Sequence, residues 1–283
     1  MKLDAFDLSR GQRVGFGHGS LGNLLLRFDD VHGHGPVILK IYRRRGAWAA
    51  ELFRSASHRV FEGRRACDPV ARCDTERRSL ALWQREGFDV PALIDLPIPP
   101  GLTAPALWCE YCPGRTLAET LMDATVAPLQ QRTLLVRLGA DLARRHRRAL
   151  DRNEPLLVQE HGATTHVLVS EGRLVAFDLE GGFRPGFPVL EAITQELSSY
   201  LRSIARKAIH LPLETALAAF RGGYADLDLL EQLRRWTIES PSLIRHLKRW
   251  GDRRRERADL GKCALLDRLL DAEPDRAAHR AGP

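Results

Sequence analysis

Apolar and polar residues alternate over much of the first hundred positions and then recur at helical spacing, so the chain reads as a strand-rich part followed by a helix-rich part. Short strands are predicted at Arg13 to Phe16 and Asn23 to Phe28, flanking glycines. The turn Val31-His32-Gly33-His34-Gly35 leads into the apolar run Val37 to Ile41, which completes an antiparallel meander. Asp74 or Thr75 can cap a helix on which Glu76, Leu80 and Trp83 recur at helical spacing, ending at Gly87. Two more strands are expected near Ala92 to Leu96 and Ala106 to Tyr111, separated by the proline-rich stretch Pro97 to Pro105, before Pro113-Gly114 breaks the pattern. From Leu129 to Leu150, Leu134, Leu138 and Leu142 form the apolar stripe of a long amphipathic helix with arginines opposite. Val167 to Asp178 reads as a hairpin turning at Glu171-Gly172. Beyond Pro188 the pattern is helical to about Leu270, with breaks at Pro212, Gly222-Gly223, Pro241 and Gly251.

A chain of 283 residues, 44% apolar and 28% charged, is ordinary globular material, enough for one large bilobal domain or two modest ones. The start has no apolar core of signal-peptide length, and no segment approaches the roughly 18 apolar residues of a spanning helix, so a cytoplasmic location is expected. The net charge of +7 comes mostly from arginine clusters, Arg43-Arg44-Arg45, Arg144-Arg145 with Arg147-Arg148, and Arg253-Arg254-Arg255. These point to an anionic partner, which could be nucleic acid, an acidic membrane surface, or a phosphorylated or carboxylated sugar. Each cluster alone also reads as a solvated helix face. Nothing resembles a helix-turn-helix or an RNA-binding aromatic pair, so sequence-specific nucleic-acid recognition is not expected. Five cysteines in such a chain argue for reduced thiols. Cys109 and Cys112 have metal-knuckle spacing but no matching second pair, and a structural zinc site needs four ligands.

The candidate chemistry starts with Gly17-His18-Gly19-Ser20-Leu21-Gly22, a GxGxxG sequence. A dinucleotide-binding turn would open a helix, whereas Asn23 to Phe28 looks extended. The glycines therefore read as a loop between antiparallel strands that covers phosphates, or as a plain glycine-rich turn. Lys40 follows Gly22 by eighteen residues, inside the run Val37 to Ile41. A lysine in a buried-looking strand is costly unless it meets anions, and nucleotide phosphates with a helix glutamate are such anions. Glu76 is the candidate glutamate. The plain alternatives are a first-turn glutamate at a helix start and a lysine snorkelling from an edge strand. Val175-Ala176-Phe177-Asp178-Leu179-Glu180 ends the hairpin with a carboxylate suited to a metal.

Taken in order, Gly17-x-Gly19-x-x-Gly22, Val37-Ile38-Leu39-Lys40, Glu76, Glu110-Tyr111 before a Pro-Gly, and Phe177-Asp178 resemble the protein-kinase-like fold. Within it the chain is most similar to the Kdo/WaaP lipopolysaccharide kinases of Gram-negative bacteria. Their cue is the basic stretch after the strand lysine, here Ile41-Tyr42-Arg43-Arg44-Arg45-Gly46-Ala47-Trp48, with a further helix before Glu76. The likeness covers about residues 10 to 200 and lies in the order of short motifs.

The resemblance implies an α+β, bilobal fold, with a small antiparallel β-rich N-lobe over residues 1–112 and a larger helical C-lobe over residues 113–283. It implies that Gly17, Gly19 and Gly22 cover ATP, that Lys40 holds its phosphates, and that Glu76 orients Lys40. Backbone groups from Glu110 to Cys112 would meet adenine, and Asp178 would bind magnesium, with His166 at the second metal-ligand position. The loop Gln159-Glu160-His161-Gly162-Ala163-Thr164-Thr165-His166 departs from the kinase pattern, because His161 stands where the base aspartate is expected. His161 would then be the base, or Glu160 would reach the substrate from a re-registered loop, or the chain would bind nucleotide without transferring phosphate. Glu180 replaces the glycine of Asp-Phe-Gly and either approaches the metal, pairs with an arginine, or is an exposed loop acid. His146 reads as a core histidine.

The activity implied is phosphorylation of a sugar hydroxyl of the lipopolysaccharide inner core, Kdo or heptose. The arginines would serve the acidic acceptor and a peripheral contact with the inner membrane. The main alternative is a pseudokinase acting as a nucleotide-binding or scaffold module. A protein Ser/Thr kinase is the weaker third reading, since no Ala-Pro-Glu follows Asp178.

Overall fold

The expected meander forms as β1 (Gln12–Val14), β2 (Leu24–Phe28) and β3 (Val37–Ile41), and the two strands expected after it are β4 (Leu93–Ile94) and β5 (Ala106–Glu110). They form one antiparallel sheet in the order β1-β2-β3-β5-β4. The computed structural model describes residues 8–14, 23–44, 68–239 and 262–271. Gly15 and Phe16 of the first expected strand, and the loop glycines Gly17, Gly19 and Gly22, lie outside the described residues, as do Cys67, Pro241 and Gly251. The chain divides into two units, one of Met1–Pro113 with Phe177–Gly182, the other of Gly114–Ala176 with Phe183–Pro283.

Alternation along β3 sets the faces of the first unit's sheet. Val37, Leu39 and Ile41 point into a core with Leu26, Phe28, Ala106 and Trp108. Lys40 shares the opposite parity with Tyr42, which packs with Leu107, Cys109 and Cys73. Trp108 meets Phe28 edge-on, with ring centroids 5.5 Å apart.

Helix α1 (Pro69–Arg85) covers the lysine face. It starts earlier than Asp74 or Thr75. Asp68 is the N-cap and accepts from the backbone N–H groups of Val70 and Ala71 at 3.1 and 3.0 Å, while Pro69 supplies the preset φ of a first helical position. Glu76 is therefore mid-helix, and the reading of it as a first-turn glutamate falls.

The second unit carries a small antiparallel sheet of β6 (Arg115–Thr116), β7 (Val167–Ser170) and β8 (Arg173–Ala176). The hairpin turns where expected, with positive φ at Glu171 and Gly172, the signature of a type I′ turn. A short helix not foreseen, α2 (Leu117–Leu121), begins in a capping box between Thr116 and Glu119. The long amphipathic helix is α3 (Pro128–Arg152), with Leu134, Leu138 and Leu142 buried. It is followed by α4 (Val189–Lys207), α5 (Leu213–Gly223), α6 (Leu227–Glu239) and α7 (Lys262–Asp271). Gly222 and Gly223 end α5, so the helical pattern breaks there as expected.

Helices α3 and α5 meet backbone to backbone. A Cβ on Gly139 would drive into the Phe220 carbonyl, and one on Gly223 into the Val136 carbonyl. Cys73, Cys109 and Cys112 are buried free thiols. Among the described residues, no helix is long and apolar enough to cross a membrane.

Candidate functional site

Lys40 sits mid-strand in β3, opposite Leu25 on β2 and Leu107 on β5, so its backbone is held on both sides. Its side chain leaves the sheet beneath α1, and Nζ donates to Glu76 Oε2 at 2.6 Å and to Asp178 Oδ1 at 2.9 Å. Lys40 and Glu76 are nearly sealed, at 8% and 5% side-chain exposure, whereas Asp178 keeps 32%. The structure thus brings together three residues that are widely separated in sequence, and the reading of Lys40 as an edge-strand lysine falls. Asp178 adopts φ 61°, the left-handed region that aspartate tolerates better than most side chains.

Around this triad stands a second layer. Tyr42 donates its hydroxyl to Glu76 Oε2 at 2.5 Å. Glu180 is buried rather than an exposed loop acid, and its Oε2 accepts from the Asn23 side-chain amide. The same oxygen lies 3.4 Å from Arg72 Nη2 and 3.5 Å from Lys40 Nζ. Arg72, one turn before Glu76 on α1, also donates to the Asn23 side-chain oxygen and, through Nη1, to the Arg43 carbonyl at 3.0 Å.

Electrostatics follow from this crowding. Burial alone would lower the Lys40 pKa, but Asp178, Glu76 and Glu180 outweigh it and hold the ammonium well above the ordinary lysine value. Burial pushes the Glu76 carboxyl up, against the pull of Lys40 and with the help of Asp178 and Glu180. Burial, then Glu76, pushes the Tyr42 phenol up as well. Glu76, Asp178 and Glu180 each offer a carboxylate oxygen within 4.8 Å of the others. Three carboxylates against Lys40 and Arg72 leave one net negative charge, and a set of hard oxygen donors with excess charge suits a divalent cation such as magnesium.

Glu110 and Cys112, the candidate adenine contacts, close the same unit. Glu110 donates its N–H to the Ala92 carbonyl at 2.8 Å and accepts from the Ala92 N–H through Oε2 at 3.1 Å. Tyr111 donates its N–H to the Pro36 carbonyl at 3.2 Å. The backbone donors of Glu110 and Tyr111 are therefore committed within the first unit, and Cys112 is buried beside them.

Glu160, His161 and His166 belong to the second unit. His166 Nδ1 is 2.7 Å from the His161 carbonyl, which can only accept, so Nδ1 carries the proton and Nε2 of a neutral ring is the acceptor. His161 is exposed, with Nε2 3.2 Å from Glu160 Oε1. The loop they stand on is fixed from behind. Tyr200 donates to Gln159 Oε1 at 2.8 Å, Arg145 donates to the Leu157 carbonyl at 2.6 Å, and the Thr164 N–H donates to Ser203 Oγ at 3.0 Å. Arg145 also grips Glu196 through two bonds of 3.0 and 2.7 Å. His146, a core histidine as expected, lies between Glu196 at 3.0 Å and the Tyr224 hydroxyl at 2.8 Å.

Of these groups, Arg72, Asn23 and Tyr42 carried no functional reading in the sequence. The available signal for Arg72 was its four-residue spacing from Glu76, which puts both on one helix face. Compared with known proteins, the chain matches no family model and no curated protein sequence.

Proposed function

We propose that this chain is an ATP- and magnesium-dependent phosphotransferase with a bilobal, protein-kinase-like fold, acting on a sugar hydroxyl of the lipopolysaccharide inner core, Kdo or heptose. The observation that carries the proposal is the convergence of Lys40, Glu76 and Asp178, with a buried ammonium shared between a sealed glutamate and a partly open aspartate. Phosphoryl transfer asks a protein mainly for positioning and charge neutralisation. Lys40, oriented by Glu76, would meet phosphate oxygens. Asp178 would hold magnesium, and the ion would supply charge neutralisation at the phosphates. The base role would fall to His161 or to Glu160. The acceptor assignment draws on the likeness to the Kdo/WaaP kinases and on the arginine excess, which suits an acidic sugar and a peripheral contact with the inner membrane.

A second reading, a nucleotide-binding module without transfer, is favoured by one observation. His161, in place of the base aspartate, has Nε2 turned toward Glu160.

Thermal unfolding with MgATP tests the nucleotide site. The wild type should gain about 2.7 kcal/mol at a hundredfold excess of ligand over Kd. Asp178→Asn, which keeps the backbone preference at φ 61°, should lose that gain. Transfer from ATP to core oligosaccharide, measured beside transfer to a protein mixture, then separates sugar kinase from protein kinase. His161→Ala should slow transfer about 10²-fold or more if His161 is the base. A wild type that MgATP does not stabilise overturns the proposal; binding without transfer to either acceptor selects the second reading.

A further inference from the structure

The contacts of Glu180 differ in quality from those of its neighbours. Lys40 makes tight bonds to Glu76 and Asp178 at 2.6 and 2.9 Å, but stands 3.5 Å from Glu180. Arg72 reaches the same Glu180 oxygen at 3.4 Å. Charge-assisted hydrogen bonds ordinarily run about 2.7–2.9 Å, so one carboxylate oxygen serves two buried cations and fits neither closely. Arg72 is itself buried, and its Nε has no hydrogen-bond partner among the described residues. A buried guanidinium nitrogen left unpaired is costly unless something else meets it. The Tyr42 ring adds a floor under both cations, 5.4 Å from Lys40 Nζ and 5.7 Å from the Arg72 guanidinium carbon.

We propose that Arg72, Lys40 and the Asn23 side-chain amide form a subsite for a phosphate oxyanion, and that the Glu180 carboxylate is an internal stand-in for that anion. A tetrahedral phosphate presents more oxygens than a carboxylate, so it can meet the fork of Arg72 and the ammonium of Lys40 at the same time. A planar fork of donors is also what arginine brings to phosphate recognition. Asn23 directly follows Gly22 of the glycine-rich motif, so the amide that now holds Glu180 comes from the segment from which a phosphate would be covered. The phosphate would displace Glu180, which makes this residue a competitor for the site rather than one of its ligands. The inference rests on the nucleotide reading for the identity of the anion, but not for the existence of the subsite.

Calorimetric titration of the full chain with magnesium-free tripolyphosphate and with MgATP tests it, with circular dichroism confirming that each variant is folded. Glu180→Gln keeps the shape and removes the charge. It should bind tripolyphosphate about tenfold more tightly than wild type, the size of one charge-assisted hydrogen bond released to the ligand. Adding Arg72→Gln to that variant should erase the gain, and Asn23→Ala should reduce it. Unchanged or weaker tripolyphosphate binding by folded Glu180→Gln overturns the inference. So does a selective loss of MgATP binding in that variant, which would make Glu180 a metal ligand. Tighter tripolyphosphate binding without MgATP binding by any form would uphold the subsite and remove the nucleotide reading. MgATP binding by wild type that needs Lys40 but is indifferent to Arg72 and Glu180 would do the reverse.

Discussion

Each unit buries arginine, glutamate and tyrosine side chains, and the two arrangements are opposite in kind. In the second unit, Arg145 and Glu196 are paired through both carboxylate oxygens, His146 donates to the same glutamate, and Tyr224 closes the chain on the other ring nitrogen. One cation meets one carboxylate there, and Glu196 and His146 have no exposed side-chain surface. In the first unit, three carboxylates face two cations, the bonds range from tight to loose, and Asp178 opens to solvent. A buried charge set that is balanced and fully bonded has no use for a ligand. One that is unbalanced and partly open is stabilised by adding one. The comparison makes the first unit's cluster the candidate site and the second unit's a support for the loop through Gln159.

Removing Glu196 is the most damaging way to break the comparison. Glu196→Ala leaves Arg145 buried without its partner and should cost about 3–5 kcal/mol. Hydrogen exchange of peptides from α3 and α4 reads this locally, and a cost under 1 kcal/mol would show the network to be slack. Lys40→Met is the matching change in the first unit. Its cost should be smaller, about 1–3 kcal/mol, because the Glu76 carboxyl is already held above its ordinary value by burial and can take a proton. A group with a raised pKa contributes most below its unfolded value and loses that contribution as pH rises. The variant's deficit, followed by exchange in α1, should therefore shrink on acidification.

The mildest test is pH alone. Burial lowers the His146 pKa more than Glu196 raises it, so the folded ring stays neutral while the unfolded one protonates below about 6.5. Glu196 is held below its ordinary value because Arg145 and His146 outweigh the cost of burial. Both shifts stabilise the second unit above the unfolded pKa values and lose that contribution as pH falls. From about pH 6.5 downward, its stability should drop by up to about 1.4 kcal/mol per pH unit for His146. Glu196 adds to the loss below about 4.3. His146→Gln should flatten the upper part of that slope, and an unchanged slope would mean that another group carries it.

The central site was legible where local pattern and chemistry coincided. Strand alternation placed Lys40 among buried neighbours, and a lysine there needs anions, so Glu76 and Asp178 could be sought by order along the chain. Arg72 was hidden by a boundary. With the helix started at Asp74 or Thr75, Arg72 falls outside it, and only the Asp68 cap with Pro69 restores it to the face of Glu76. For Glu180, pairing with an arginine was one of the readings open, but its burial was not legible, because a loop acid beside two glycines reads as solvent-facing. The second unit's network was beyond reach for a different reason. Arg145 and Glu196 are 51 residues apart, and nothing short of packing α3 against α4 brings them together. His146 could be read as a core residue from its place in a helix, but not given its partners.

Gly139 and Gly223 extend the contrast between site and scaffold to mutational tolerance. Where α3 and α5 touch through their backbones, no side chain larger than hydrogen fits at either position. In a saturation scan scored by growth or activity, both positions should therefore be as intolerant as Lys40 or Asp178 while touching neither. Ranked by intolerance alone, they would be mistaken for members of the candidate site. A parallel scan scored by protein abundance would separate them, since changes at the two glycines should deplete the protein itself.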